Sequence, residues 1–173
     1  EKFTLRDNKI NILEIGSYEG LASVFLLKYF KNSIIDCVDT FEGSDEHADK
    51  NFDLIYKNFI FNLNKFPNRY NVYKTTSDSY FKNLNNKKQG YVNSFDIVYV
   101  DGSHEYENVF KDAINGFKFV NKNGIIIFDD FLRNYYEKIE KNPIKAILDF
   151  LKLYKNRVEV LLVSYQLIVR KKY

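Results

Sequence analysis

Acidic residues stand at or just after the ends of several apolar segments that are typical of buried strands. These residues are Glu14, Asp39, Asp101, Asp129 and Asp130. Because ligands bind outside the carboxyl ends of parallel strands, we expect the five carboxylates to lie along one edge of a sheet. Carboxylates in that position can accept hydrogen bonds from sugar hydroxyls or bind hard divalent cations. The sequence therefore predicts a site for a small polar ligand at this edge.

A glycine-containing turn follows the first of these segments. In INILEIGSYEG, residues Glu14, Gly16 and Gly20 have the spacing E-x-G-x-x-x-G. Glycines here permit a tight turn and let a ligand approach the backbone N–H groups at the start of the next helix. The dinucleotide pattern G-x-G-x-x-G is missing, so the spacing favours a phosphate-free adenosyl cofactor with an amino-acid moiety over NAD. Asp39 is predicted to accept hydrogen bonds from both ribose hydroxyls of that cofactor.

A second polar group follows the fourth and fifth predicted strands. It contains Asp101, His104, Asp129 and Asp130. Neighbouring carboxylates repel one another unless they are protonated, hydrogen-bonded or neutralised by a cation, and oxygen ligands suit Mg²⁺ or Mn²⁺. The sequence leaves open whether this group holds a metal. His104 is interpreted either as a general base or as a loop residue that caps the helix at Glu105, and His47 as a solvated loop residue.

Apolar periodicity predicts the elements that position these side chains. The predicted strands cover 10–15, 34–38, 71–75, 95–100 and 125–128, and two further strands connect near 164–165. The predicted helices cover about 20–30, 51–63, 77–84 and 106–117, and a last helix begins at Pro143. Ser77 is predicted to cap the third helix. This alternation predicts an α/β fold, with a mainly parallel sheet, helices on both faces and a closing antiparallel hairpin.

The composition limits the class of protein. The chain has 173 residues, 45% of them hydrophobic, and a formal net charge of +3 from 26 basic and 23 acidic residues. These values predict one domain with a full core and do not indicate a nucleic-acid partner. No apolar run reaches the roughly 18 residues of a membrane span, which predicts a protein without membrane segments. Cys37 lies in an apolar run and is interpreted as a core residue.

Two further expectations concern the cell and the whole protein. No signal peptide is visible, and the default location is therefore the cytoplasm. The chain contains no methionine. We therefore expect a processed product or a part of a longer protein with neighbouring domains. The sequence leaves open whether the protein forms a homo-oligomer.

Four motifs in order, LEIGSYEG, DTFEG, FDIVYVDGSHEYENVFKDA and NGIIIFDD, resemble those of the class I S-adenosylmethionine-dependent methyltransferases. The resemblance is to the small-molecule group with a DGSHxY block and extends from Ile10 to Lys171. It implies a single Rossmann-like methyltransferase domain over residues 1–173, with sheet order 3-2-1-4-5-7-6 and strand 7 antiparallel. It also implies that these residues bind the cofactor: Glu14, Gly16, Ser17, Tyr18, Gly20, Asp39, Thr40, Ser77, Asp78 and Asp101. By that likeness, Glu14, Gly16 and Ser17 contact the methionine portion, and Ser77 and Asp78 lie near the adenine.

The acidic group is similar to that of metal-dependent O-methyltransferases, including those that act on sugar hydroxyls of macrolides. That likeness implies that Asp101, Asp129 and Asp130 bind the metal, and that Asp101 and His104 act in catalysis. The expected reaction is methylation of a hydroxyl on a sugar or glycan. A phenolic acceptor, or a cofactor-binding domain without activity in a larger protein, is the alternative. Plausible walls of the acceptor site are Phe131, Arg133, Tyr135 and Tyr136.

Overall fold

Strands and helices alternate along the chain in the computed structural model, which describes residues 6–43, 52–86 and 94–173. The strands are β1 (Ile10–Ile15), β2 (Ser33–Asp39), β3 (Tyr70–Lys74), β4 (Phe95–Val100), β5 (Val120–Phe128), β6 (Val158–Val163) and β7 (Leu167–Lys171). The helices are α1 (Leu21–Tyr29), α2 (Phe52–Leu63), α3 (Ser77–Asn86), α4 (Tyr106–Phe119) and α5 (Pro143–Leu153), with a 3₁₀ turn at Ile139–Lys141.

The strands form one sheet in the order β3-β2-β1-β4-β5-β7-β6. Strands β1 to β5 pair in parallel. Strand β7 pairs antiparallel with both β5 and β6. The predicted fold class and strand order are therefore confirmed. The chain runs outward from β1 through β2 and β3, and then returns to β4 on the other side of β1. Ligand sites of open α/β sheets lie at such a reversal.

Helices pack on both faces of the sheet. Ile12 of β1 belongs to a buried cluster with Leu27 of α1 and Phe59 of α2. Leu13, the next residue of β1, belongs to the opposite cluster, which includes Phe117 of α4. Because alternate residues of a strand face opposite sides of a sheet, Glu14 lies on the same side as Ile12, towards α1.

Two local predictions are wrong in detail. Strand β5 begins at Val120 rather than at residue 125, because Val120 already pairs with Phe95 of β4 ahead of the polar stretch at 121–124. The cap of α3 is Thr76, whose Oγ1 accepts a hydrogen bond from the backbone N–H of Ser79 at 3.2 Å. Ser77 is instead the first residue of the helix.

Some predictions concern segments whose structure is not described. The interpretation of His47 falls in 44–51, which lies outside the described residues. Within the described ranges, none of the helices combines the length and the apolar character that crossing a bilayer requires.

Candidate functional site

A cleft of about 860 Å³ lies above the carboxyl ends of β1, β2 and β4. Its size is in the range of small-molecule sites in proteins. Most of the residues predicted to bind a ligand line it, namely Gly16, Tyr18, Asp39, Thr40, Ser77, Asp78, Asp101, His104, Asp129 and Asp130. Three other predicted residues, Glu14, Ser17 and Gly20, are not among the lining residues. The structure therefore brings together the ends of all the predicted parallel strands.

Glu14 lies behind the turn that follows β1. Its side chain is fully buried, and one carboxylate oxygen accepts hydrogen bonds from the hydroxyls of Ser17, at 2.7 Å, and Ser23. The other oxygen, Oε1, has no hydrogen-bond partner within the described part of the chain. Burial raises the pKa of Glu14 to about 7. Glu14 thus ties the turn to α1, and any effect on a ligand would act through the shape of that turn.

Gly16 is required where the turn after β1 meets the end of β4. Its φ is +84°, and a Cβ atom built on it would lie 2.0 Å from the carbonyl oxygen of Asp101. The backbone N–H of Asp101 in turn donates to the carbonyl of Ile15 at 2.8 Å. Gly20 also has a positive φ of +83°, but its added Cβ would meet the side chain of Leu63 at 2.6 Å. The glycine spacing therefore reflects packing within the protein as well as room for a ligand.

Asp39 is held between two backbone amides at the rim of the cleft. Its Oδ2 accepts a hydrogen bond from the N–H of Tyr18 at 2.8 Å, and its Oδ1 accepts one from the N–H of Phe41 at 2.6 Å. A carboxylate has about four acceptor positions, so each oxygen can accept a further hydrogen bond. The arrangement suits a pair of vicinal hydroxyls, as predicted for the ribose.

Asp130 is the centre of a network at the other end of the cleft. Its Oδ2 is 3.0 Å from His104 Nε2 and accepts a hydrogen bond from the Tyr135 hydroxyl at 2.7 Å. Its Oδ1 accepts a hydrogen bond from the Tyr165 hydroxyl, and the Arg133 guanidinium is 3.8 Å away. Burial would raise the pKa of Asp130, but the hydrogen bonds from His104, Tyr165 and Tyr135 outweigh it and hold that pKa well below its usual range. Asp130 is therefore a fixed anion.

The ring of His104 is oriented by stacking as well as by its hydrogen bond. Its ring stacks on Tyr135 with the centroids 3.8 Å apart and an interplanar angle of 9°. The Arg133 guanidinium carbon lies 4.5 Å from the centroid of the same Tyr135 ring. If Nε2 of His104 donates to Asp130, then Nδ1 carries the lone pair that a general base needs. The geometry favours a positioned imidazole over the alternative of a helix-capping loop residue.

The loop that carries Tyr135 is organised by Asn142, which is fully buried. The side-chain oxygen of Asn142 accepts hydrogen bonds from the backbone N–H groups of Tyr135 and Tyr136, at 2.7 and 2.9 Å. Its amide nitrogen donates to the carbonyls of Tyr136 and Lys138. Sequence reasoning missed Asn142, although its place before Pro143, at the start of α5, is a typical position for a capping residue.

Asp101 and Asp129 lie beside this network. Burial, together with the charges of Asp129, Asp130 and Glu14, raises the pKa of Asp101 to about 9. Asp129 accepts a hydrogen bond from the side-chain amide of Gln166. The carboxyl of Asp101 is thus neutral near pH 7 unless a cation arrives to balance the negative charge.

A cation could be held by atoms of Asp101, His104 and Asp130. One ligand atom from each of these residues lies within 4.8 Å of the others. Two carboxylates and an imidazole are a plausible donor set for Mg²⁺ or Mn²⁺, and a cation would offset the burial and the repulsion that together raise the pKa of Asp101. The predicted metal ligands were Asp101, Asp129 and Asp130. Among the described residues, the group that could hold a cation instead combines Asp101 and Asp130 with His104.

Three of the four residues expected to form walls of the acceptor site line the cleft, and the fourth packs in the core. Phe131 is 6% exposed and belongs to the hydrophobic core, so it is not a wall. Arg133, Tyr135 and Tyr136 line the cleft, as expected, and so does Tyr165. Sequence reasoning missed Tyr165 and Gln166. A usable signal was their place in the turn between β6 and β7, since β7 pairs with β5 and brings that turn beside Asp129 and Asp130.

The chain belongs to a family of methyltransferase domains, Methyltransf_24, whose profile matches residues 13–131. A curated relative, an uncharacterised protein of Acanthamoeba polyphaga mimivirus, is 32% identical over 133 residues, which cover 74% of this chain and 54% of that protein. The chain thus spans about half the length of the curated relative that it matches.

Solved structures of O-methyltransferases share the fold. The Bacillus cereus O-methyltransferase in complex with S-adenosylhomocysteine (SAH) has a TM-score of 0.64 at 22% identity, covering 93% of this chain and 74% of that one. TomG of Streptomyces achromogenes, in complex with S-adenosylmethionine (SAM), has a TM-score of 0.67 at 11% identity, with coverages of 94% and 73%. MycE, in complex with Mg, SAH and mycinamycin VI, has a TM-score of 0.63 at 15% identity, with coverages of 96% and 45%.

Proposed function

We propose that this chain is the catalytic domain of an S-adenosylmethionine-dependent O-methyltransferase whose acceptor is a hydroxyl group of a sugar or glycan. One observation carries the proposal: a single cleft joins a carboxylate suited to ribose, Asp39, to the network around Asp130 at the opposite end. Family membership supports the methyl-transfer reaction.

The donor end would bind SAM along β1 and β2. Asp39 accepts the ribose hydroxyls, and the turn at Gly16 to Tyr18 borders the part of the cleft proposed for the methionine portion. Ser77 and Asp78, at the start of α3, lie at the side of the cleft proposed for the adenine. Because sulfonium is already an activated leaving group, these residues only have to bind and orient the donor.

At the acceptor end, the fit of Asp101, His104 and Asp130 to a divalent cation supports a metal-assisted reaction. The cation would polarise the acceptor hydroxyl and lower its pKa. Asp130 orients the imidazole of His104 and, with Tyr135 and Tyr165, fixes the loops that surround the acceptor. A sugar acceptor is supported by the polar groups at this end of the cleft, where sugar hydroxyls can hydrogen-bond Arg133 and Asp129.

The test of this function is a methyl-transfer assay with labelled SAM against matched panels of free sugars, glycosides and phenols. We expect transfer to a sugar hydroxyl, loss of transfer in EDTA, and recovery with Mg²⁺ or Mn²⁺. Mn²⁺ binding followed by calorimetry is an independent readout, and it should weaken in Asp130→Asn. Transfer only to phenols would contradict the sugar assignment. Full activity in EDTA would exclude a metal-assisted reaction. His104 would then be the proposed general base.

Asp39→Ala is expected to weaken SAH binding by a factor of about ten or more, because hydrogen bonds to a charged group are lost. The protein should remain folded, with a lower free energy of unfolding because the N–H groups of Tyr18 and Phe41 lose their acceptor. Calorimetry with SAH and urea denaturation measure the two effects. Asp36→Ala is a matched control on the same strand, because Asp36 bonds Asn71 and Tyr80 and does not line the cleft. Equal SAH affinity in Asp39→Ala and the wild type would exclude Asp39 from the donor site.

A further inference from the structure

Arg133 places a positive charge at the acceptor end of the cleft. It lies in the loop that follows β5, its side chain is 55% exposed, and it lines the cleft. A guanidinium group keeps its charge over the whole physiological pH range. Methyl transfer to a neutral hydroxyl does not require this charge, which raises the question of what it binds.

The guanidinium group is held in position by its neighbours. Its carbon lies 4.5 Å from the centroid of the Tyr135 ring. It also donates a hydrogen bond to the hydroxyl of Tyr165. The backbone N–H of Arg133 donates to the carbonyl of Asp130 at 3.0 Å, which fixes the start of the side chain. Because the side chain is already oriented, less conformational entropy is lost when a ligand binds to it.

Most hydrogen-bond donors of Arg133 are not used within the described part of the chain. The nearest carboxylate, Asp130, lies 3.8 Å from Nη1, which is beyond hydrogen-bond distance. The oxygens of that carboxylate already bond His104, Tyr135 and Tyr165. A guanidinium has five N–H donors in a planar fork, and Tyr165 takes one of them. An oriented fork with spare donors suits a planar anion that accepts two parallel hydrogen bonds.

The burial of the two charges favours an anion at this position. The side chain of Asp130 is 8% exposed, whereas that of Arg133 is 55% exposed. Asp130 is enclosed by its hydrogen-bond donors. A ligand at this end of the cleft therefore reaches the positive group, while the nearest negative group is covered.

We propose that Arg133 binds the carboxylate of an acidic sugar, so that the methyl acceptor is a hydroxyl group of a uronic acid. This inference rests on the proposed function, because it names the class of sugar that the same site takes. The carboxylate matches the guanidinium fork, whereas a hydroxymethyl group in its place offers one neutral hydrogen bond. The carboxylate itself does not react: the methyl group passes from the sulfonium sulfur to the hydroxyl oxygen, and the hydroxyl proton passes to His104 or to water.

The experiment uses pairs of methyl glycosides in which one sugar carries a carboxylate and the other a hydroxymethyl group, in the glucose, galactose and mannose series. Transfer from labelled SAM is measured in the presence of Mg²⁺. In the wild type we expect kcat/KM to be about ten- to a hundredfold higher for the acidic member of the accepted pair, the range for hydrogen bonds between charged groups. In Arg133→Gln, which loses the charge, this preference should fall to about threefold or less.

A matched control tests whether the position of the charge matters. Arg170 pairs with Glu159 at 3.4 Å and does not line the cleft. Arg170→Gln removes one positive charge and should keep the wild-type preference. Calorimetry of the acidic and neutral glycosides with the SAH-loaded protein gives the same comparison without turnover.

The outcomes separate this inference from the proposed function. Absence of transfer to every sugar would overturn the proposed function and this inference with it. Transfer to sugars without a preference for the acidic member would overturn the role of Arg133 and leave the proposed function standing. A full preference in Arg133→Gln would also overturn that role. Thermal melting checks the fold, and Arg133→Lys, which keeps the charge but not the planar fork, is the second variant and should show an intermediate preference.

Discussion

Replacing His104 with glutamine is expected to lower the rate constant of methyl transfer by a factor of about 10² to 10⁴, the usual contribution of a positioned acid or base. The imidazole lies 3.0 Å from the fixed anion Asp130 and is stacked on Tyr135. It is placed either to accept the proton of the acceptor hydroxyl or to help hold a cation beside it. SAH affinity should stay within about threefold of the wild type, because the donor contacts lie elsewhere in the cleft.

A second measurement separates the two roles of His104. If the imidazole is a metal ligand, Mn²⁺ affinity falls together with the rate; if it is a base, Mn²⁺ affinity is kept while the rate falls. Tyr106→Phe is the matched control, since Tyr106 lies close by on α4 but its hydroxyl bonds Asp149 outside the cleft. A glutamine variant with the wild-type rate would exclude His104 from the reaction.

Gly16→Ala is expected to lower the free energy of unfolding by about 3 kcal/mol or more, because it combines a left-handed backbone with a clash. The added methyl group would lie 2.0 Å from the backbone oxygen of Asp101, which cannot move without breaking the contact between β1 and β4. Urea denaturation measures the change. Binding of SAH should fall as well, since the same turn borders the donor site.

Gly20→Ala is the comparison for this prediction. Its φ is also positive, but the atom that the new methyl group meets is the end of the Leu63 side chain. That side chain can shift, so the expected cost is smaller, about 1 to 2 kcal/mol. Equal costs for the two substitutions, or a cost of Gly16→Ala below about 1 kcal/mol, would contradict the argument that backbone contact at Asp101 determines the need for glycine.

The topology could be predicted because each strand is a short apolar run that ends in a recognisable polar turn. FDIVYV before Asp101 and IIIF before the aspartate pair are examples. Boundaries were less certain where two signals compete. Thr76 and Ser77 can both cap a helix, and the choice depends on which side chain has another partner. Ser77 has one in Asp112, which is distant in sequence.

The acidic residues of the candidate site could be predicted from the sequence. Their hydrogen-bond partners were harder to predict. The side of Glu14 follows from strand alternation with Ile12, so its position behind the turn could have been foreseen. The partners of Asp130 could not, because Tyr165 lies 35 residues further along the chain and reaches it only through the pairing of β7 with β5.

The contacts of Asp130 also bear on how the acceptor preference of this protein could be altered. His104, Tyr135 and Tyr165 come from three separate connections, and all three end on one carboxylate. Tyr136 lies next to Tyr135 in the same loop and also lines the cleft. Substitutions at Tyr136 should therefore change which molecule is accepted while the contacts of Asp130 keep the geometry of transfer, and this position is the natural place for a library aimed at new acceptors.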